Sequence, residues 1–510
     1  MQKTYSEGQS ACPSDAASFP VTFSADGSAT SPQPVQGDDL DPLNWSKVQK
    51  HVILAIVMGL YFMFTYITTT TVPSGPKLQD KYGITVDQVN WTVALPALGL
   101  AIGPLLSSPA ADIVGRRIVI MTGTVVALAS TIGAALSPNY ATYLTARVFQ
   151  GIGISPASTV GLAIINDLFF ESERGEKTGM WVLAVDLGLL VGPIIGGFID
   201  LAGDVWVQWH VAIIFGLLLA LEALFLPESL YPRELMLSIP DSASESETKA
   251  RVAETVSPEL TPLPKRTKQL SFINIHPIPG RKNRSVAASI LECLGVAKHY
   301  SVSIAITAYC FSWYWWIMSV ITMIPTAYAD YSIQVQQLFF IGLIVGTLIA
   351  ELFISGRQSD WFVAYLAKSN GGKQEAEMRL WFAYPGAVLS ALGLVLWSMS
   401  VDRKWHWAVG QIGLALFGGG LQMGNTAICS YMMDASPKQH MAVTMFYAFM
   451  LNISAFANPF FIVQWVARTG YTWTYACQAL VIVLFCMPVL ALVHRFGGRT
   501  REKDIASIST

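Results

Sequence analysis

Charged residues are what this sequence has least of. Asp, Glu, Lys and Arg together make up 13% of its 510 residues, against 53% hydrophobic. A soluble chain of that length would need far more polar cover, so the composition excludes a water-borne globular protein and assigns the chain to a membrane. Cysteine is scarce as well: Cys12, Cys293, Cys310, Cys429, Cys477 and Cys486 form no CxxC pair, and four of the six lie in apolar runs. They read as buried apolar fillers rather than as a disulfide or metal framework. No GxxxxGK[ST] is present, so nothing indicates a built-in ATP motor. No histidine cluster, HExxH or GxSxG falls at the end of an apolar run, which argues against an intramembrane enzyme. No cofactor is expected. With a net charge of only −2, the balance suggests neither nucleic acid nor a polybasic anchor as a function.

What is present is apolar sequence in membrane-sized lengths. A bilayer core of about 30 Å takes roughly 20 helical residues. Stretches of that kind, bounded by charge or turn residues, occur at 51–71, 89–109, 117–137, 141–165, 178–201 and 206–227, then at 301–325, 336–355, 379–400, 405–430, 441–464 and 471–493. With the N-terminus placed in the cytoplasm, Lys47, Lys50, Arg116, Arg117, Arg174, Lys177, Arg357, Lys368, Lys373, Arg379, Lys438 and the basic residues of 495–503 fall on one side together with the 228–300 insert. The other side receives only Lys77, Lys81, Arg403, Lys404 and Arg468. This asymmetry follows the positive-inside rule and predicts a multi-pass protein of the cell membrane with both termini cytoplasmic. The domain reading is a disordered cytoplasmic tail over 1–46, a six-helix bundle over 47–227, a Ser/Glu/Lys/Pro-rich cytoplasmic linker over 228–300, a second six-helix bundle over 301–494 and a cytoplasmic tail over 495–510.

The halves echo one another. Ser108-Pro-Ala-Ala-Asp112-Ile-Val-Gly115-Arg116-Arg117 follows the second span, and Gly356-Arg-Gln-Ser-Asp360 follows the eighth. Duplicated halves around a midplane site are the architecture of many secondary transporters, which rock to expose that site to each side in turn. Together with DPLNWSK, RVFQGIGISPAS, GLLVGPIIGG, LPES and NISAFANPFFI in that order, these motifs make residues 41–495 resemble the major facilitator superfamily, and within it the fungal twelve-span drug:proton antiporters. The loop signature of that family opens with Gly, where this chain has Ser108. The resemblance implies an all-α fold of twelve transmembrane helices in two pseudo-repeat halves. It also implies proton-coupled efflux of small amphipathic molecules such as drugs or fungal secondary metabolites. The partners are then a small organic substrate, protons and the bilayer, with the chain working as a monomer. A proton-coupled nutrient importer and a non-transporting membrane sensor are the alternatives.

Gly188, Gly192 and Gly196 recur every four residues and so share one helix face, with Gly197 beside it and Pro193 interrupting the hydrogen-bond ladder. Small residues let a neighbouring backbone approach closely. The structural reading is a close, kinked helix contact; by resemblance the segment is an antiporter signature that shapes the gate. Depth counting at about 1.5 Å per residue brings Arg147 of span four level with Gly192, so the bare face is expected to make room for Arg147 and Gln150.

Ionisable groups at membrane depth are costly and therefore functional suspects. Asp186, next to the glycine face, is the candidate proton carrier, against a structural hydrogen bond to Ser155 or Ser158. Arg147 is its candidate partner by resemblance, against a side chain that snorkels outward onto carbonyls. Glu222 and Glu351, near the cytoplasmic ends of their spans, read as structural groups reaching water or basic loops. The resemblance further implies a gating set: Asp112 meeting the start of span eleven, Arg116 pairing with Asp167, Arg117 and Gly115 completing that loop, and Gly356 with Asp360 as its counterpart toward span five. For the substrate, the 309/313/316 stripe of Tyr309, Trp313 and Trp316 on span seven is expected to line the cavity, with Gln150, Gln422, Asn425 and Asn452 adding hydrogen bonds. Gly418–Gly420 are expected to loosen span ten.

Overall fold

The computed structural model describes residues 34–35, 38–233, 299–370, 375–436 and 440–508, with 236, 287, 291, 295 and 296 between them. Residues 1–33 of the expected tail and most of the linker lie outside the described residues. All regular elements among the described residues are helical. Span one runs Lys47–Tyr82, span two Val86–Val114, span three Arg116–Ala135, span four Tyr140–Leu168, span five Glu173–Ala202 and span six Asp204–Phe225. After the linker come span seven, Tyr300–Ala327, span eight, Ile333–Ser369, and span nine, Ala376–Asp402. Each of these, and Pro459–Gly498, is long and apolar enough to cross a membrane.

The last three spans depart from this simple pattern. Span ten, Trp407–Ala435, is an unbroken helix whose apolarity is diluted by Gly418, Gly419, Gly420, Gln422 and Asn425. Its glycines do not loosen it: a Cβ at Gly418 would meet the Leu343 carbonyl of span eight, and one at Gly420 would meet Gly386 and Ser390 of span nine. Span eleven begins as His440–Ala457 and continues as 459–469. Gly470, at φ 77°, then breaks the helix, so span twelve is 471–498. Twelve passages result among the described residues, as the apolar runs predict.

Local chemistry sets the ends. Thr85 and Gln88 form a reciprocal capping box at the start of span two. Spans two and three are joined through Gly115 alone, at φ 110° and ψ 153°, a backbone state that side-chain-bearing residues resist. Span three is capped from a distance: Glu228, in the LPES segment after span six, accepts the backbone N–H of Arg116 at 3.0 Å and of Arg117 at 3.1 Å. A carboxylate there also complements the helix dipole.

The expected tail is folded in its last residues. Asp41 accepts from the Leu43 N–H, capping the turn Pro42–Asn44, and pairs with Arg233 at 2.8 Å. Tyr231 donates to Asp38, and Lys50 to the Leu43 carbonyl at 2.9 Å. Burial pushes the Tyr231 phenol above its ordinary pKa, and the Asp38 bond adds to that, so it stays a donor. The DPLNW segment is thereby stitched to the first residues of the linker on the face where spans three and five begin.

Candidate transport pathway

The glycine face of span five receives span one. A Cβ at Gly188 would strike the Phe62 carbonyl and Thr65, one at Gly192 would strike Thr69 and Tyr66, and one at Gly196 the Thr70 carbonyl. Thr65 Oγ1 donates to the Val185 carbonyl at 2.6 Å, and Tyr61 stacks on Trp181 at 3.8 Å between ring centres. The expectation that this face makes room for Arg147 and Gln150 is therefore corrected: the space is filled by backbone, because only a bare helix surface lets two main chains come this close. Span five runs on without a break through Pro193. Gly197 faces the other half, where a Cβ would meet Gln337 of span eight.

Arg147 is fully buried, turned inward rather than toward the membrane surface. Its Nε donates to the Thr92 carbonyl at 3.1 Å, Nη2 to the Ile67 carbonyl at 2.7 Å and to Thr71 Oγ1 at 3.2 Å, and Nη1 to Gln150 Oε1 at 2.5 Å. Gln150 passes the chain on to Thr131 Oγ1 at 2.8 Å. All of these partners belong to spans one to four, and none is a carboxylate. Gln150 is thus occupied inside the first half, and among the described residues it makes no hydrogen bond to Asp186 or to the second half.

Asp186 looks the other way. It is buried, and its carboxylate accepts from Tyr314 of span seven at 3.2 Å and from Asn425 Nδ2 of span ten at 2.9 Å, both in the second half. Ser155 and Ser158 are not its partners; each donates to a carbonyl of its own helix, the Ile152 and Ser155 carbonyls respectively. Asn425 in turn accepts from Tyr447 of span eleven. The two carriers expected from the sequence, Asp186 and Arg147, share no hydrogen-bond partner among the described residues.

Glu351 of span eight joins this centre rather than water. It is buried against Gly179 of span five, and its Oε2 accepts from Gln422 at 2.9 Å, Thr426 at 2.7 Å and Ser355 at 3.0 Å. The signal that marks it in sequence is the same as for Asp186: an acidic residue in an apolar run. Glu222, by contrast, stays within the first half, where its Oε1 accepts from Thr124 of span three at 2.7 Å.

The 309/313/316 stripe does not face this centre as a unit. Trp313 donates through Nε1 to Ser390 of span nine at 2.9 Å and lies against Gly424, while Trp316 donates to the Ser312 carbonyl of its own helix and packs near Trp315 and Trp465. Tyr309 packs edge-on against Trp313. The residue that reaches Asp186 is Tyr314. Residues Cys310–Tyr314 form a π turn, closed by the Trp315 N–H on the Cys310 carbonyl at 3.3 Å, and this wider turn shifts every later side chain off the 3.6-residue register on which the stripe rests. Asn452 is buried and donates to the Ala448 carbonyl of its own helix at 2.7 Å.

Of the loop residues, Arg116 pairs with Asp167 and donates to the Ala163 carbonyl at 2.8 Å, tying the turn after span two to the end of span four within one half. Arg117 reaches the Ala223 carbonyl of span six at 2.9 Å. Asp112 is partly buried near Gly115, and residues 437–439, where it is expected to meet span eleven, lie outside the described residues. Asp360 does cross between halves: it abuts Gly175 of span five and pairs with Arg379, which also binds Asp434 at 2.9 Å. Gly356 closes a second π turn, Glu351–Ser355, its N–H on the Glu351 carbonyl at 3.0 Å. On the opposite face Trp91 of span two meets Phe456 and Phe460 of span eleven, at 6.1 and 4.7 Å between ring centres. The halves thus touch above and below Asp186.

This geometry has counterparts among known proteins. The family model described as Major Facilitator Superfamily matches residues 54–459. The chain is 25% identical to Protein HOL1 of Saccharomyces cerevisiae over 92% of its own length and 89% of that protein. It is 26% identical to the MFS transporter cpaT of Aspergillus oryzae over 92% of each. In fold it is similar to the xylose transporter XylE of E. coli in a partially occluded inward-open conformation, with a TM-score of 0.60 at 15% identity, covering 88% of this chain and 98% of that one. The human organic anion transporter MFSD10 gives a TM-score of 0.55 at 16% identity over 86% and 99%. A family model that spans most of the chain, together with two six-helix halves closed around a buried carboxylate, makes this protein a member of the Major Facilitator Superfamily, a multi-pass membrane transporter of small substrates.

Proposed function

We propose that this chain is a proton-coupled exporter of small amphipathic organic molecules, working by alternating access from a cell membrane with both termini in the cytoplasm. The observation that carries the reading is the placement of Asp186: a buried carboxylate of the first half whose hydrogen-bond donors, among the described residues, belong to the second. When the halves part, the donors leave and water arrives, so the free energy of holding a proton at Asp186 changes with the side to which the centre opens. That is the linkage an antiporter needs. Each proton returning inward supplies about 2.3 kcal/mol per 100 mV and about 1.4 kcal/mol per pH unit; at about 100 mV and about one pH unit this supports a gradient of roughly two to three orders of magnitude for a neutral substrate, and of roughly one order for a singly charged cation, whose exit cancels the voltage contribution. Arg147 serves this reading by fixing the first half as a rigid body rather than by exchanging the proton directly. Arg116 with Asp167, and Asp360 with Arg379, act as cytoplasmic braces.

The test is transport in inside-out vesicles, interior acidic, challenged with a panel of fluorescent amphipathic compounds. Accumulation that collapses with the pH gradient and is absent from Asp186→Asn supports export. Gradient-driven loss of compound from the vesicles assigns an importer instead, and accumulation indifferent to both the gradient and Asp186→Asn removes the coupling mechanism.

A further inference from the structure

Asp186 and Glu351 come from opposite halves, yet one turn of span ten holds both. Gln422, Asn425 and Thr426 stand at i, i+3 and i+4 and so share a face. Asn425 donates to Asp186, while Gln422 and Thr426 donate to Glu351. The other groups that touch the two carboxylates, Tyr314 and Ser355, are hydroxyls. Among the described residues no lysine or arginine bonds to either, and Arg147 is spent on carbonyls, a hydroxyl and Gln150. One further acceptor at this place, Gln422 Oε1, is fully buried and takes no donor from the described residues. Phenols reach the same turn of span ten and its carboxylate: Tyr314 donates to Asp186 and Tyr447 to Asn425, and both, like Tyr61 on span one, are at most 2% exposed.

Two carboxylates and an orphan carbonyl in a dry, aromatic surround form a site short of positive charge and of donors. Buried charge is tolerated when it is paired, and buried acceptors when they are bonded. A neutral or anionic ligand does not supply both, whereas a protonated amine does, and phenol faces attract the same charge. We propose that Asp186 and Glu351 together hold the ammonium group of the transported molecule, with Gln422 Oε1 accepting one of its N–H bonds and the tyrosines covering its apolar body. This assignment rests on the export reading in placing the substrate at the centre that also carries the proton. It adds the chemical class, an amphipathic organic amine, and a residue from the second half, Glu351.

The experiment uses the purified full chain and a matched pair of probes: monodansylcadaverine, a fluorescent primary amine, and its N-acetyl derivative, which keeps the ring and loses the charge. Binding is read by dansyl emission on tryptophan excitation. The amine is expected to bind about tenfold or more tighter than the acetylated compound, and Glu351→Gln to erase most of that preference while leaving the acetylated compound unaffected. Equal binding of the two probes by the native chain overturns the assignment without any variant, so a misfolding Glu351→Gln does not shelter it. A preference that survives unchanged in a folded Glu351→Gln overturns the role of Glu351. Proton release on amine binding is recorded in the same titration in unbuffered solution. Charge preference without release leaves the ammonium site standing and removes the proton coupling, and release without charge preference does the reverse.

Discussion

Arg147 and Asp186 are equally hidden from solvent, at 0% and 2% exposure, and both stand inside apolar helices, yet they are held in opposite ways. Arg147 spreads its donors over the Ile67 and Thr92 carbonyls, Thr71 and Gln150, all within one half. These partners travel with it when the halves move. Asp186 reaches across the divide to Tyr314 and Asn425, so that under the proposed alternating access its surroundings are rebuilt in each cycle. A buried charge held within one body fastens that body; one held between two bodies reports on their separation. Burial alone does not distinguish a switch from a rivet, whereas the ownership of the partners does.

The contrast breaks most visibly on substitution. Asp186→Asn keeps the volume and one acceptor oxygen, enough for the Asn425 bond, with its new N–H2 able to donate to the Tyr314 oxygen, and is expected to abolish gradient-driven transport while the protein purifies as a folded monodisperse species. A variant that still accumulates compound against a pH gradient would place the switch elsewhere. Arg147→Leu is expected to do the reverse, leaving several buried acceptors unpaired at about 1–3 kcal/mol each, so that the melting temperature in detergent falls sharply before any transport defect can be assigned. Should Arg147→Leu stay as stable as the native chain and lose only coupling, the rivet reading fails. Gly192→Leu drives a side chain into Thr69 and Tyr66 of span one. A loss of about 3 kcal/mol is expected from overpacking, read as a lower yield of folded protein, and Gly216→Leu, where a Cβ meets open space, is the control.

A smaller effect separates the two neighbours on span seven. Tyr314→Phe removes one hydrogen bond to Asp186, about 1 kcal/mol, and is expected to slow transport severalfold with little change in melting. Trp313→Phe loses the Ser390 bond and ring volume against Gly424, and is expected to lower melting with transport per folded molecule unchanged. Smallest of all is Arg233→Ala. Asp41 retains the Val35 and Leu43 N–H groups, so a cost of about 0.5 kcal/mol is expected, visible as faster proteolysis of the segment around residues 38–45.

Much of this is legible in sequence. Charge that is expensive in a bilayer stands out against an apolar run, which is why Asp186 and Arg147 are visible there, and Glu351 carries the same mark. The glycine spacing identifies the close face of span five but not its occupant, since four-residue periodicity says that a backbone approaches and not which one. Gln150, Trp313 and Trp316 look like cavity residues because polarity and aromaticity are visible in a string of letters while direction is not. The tail reads as disordered through residue 46 because its composition is polar; the bonds of Asp38 and Asp41 to Tyr231 and Arg233 depend on a partner nearly two hundred positions away.

By itself the sequence determined that the chain is a bundle of membrane helices in two halves, because the length of an apolar run acts locally, residue by residue, on insertion, and it supplied the lysine and arginine bias on which the expected orientation rests. Only the tertiary structure decided which side chains meet at the centre. Two π turns, Cys310–Tyr314 and Glu351–Ser355, rotate the later residues of spans seven and eight away from regular helical spacing. The choice of partner for each buried polar group was settled by which helix packs against which, a property of the assembled molecule that no single segment contains.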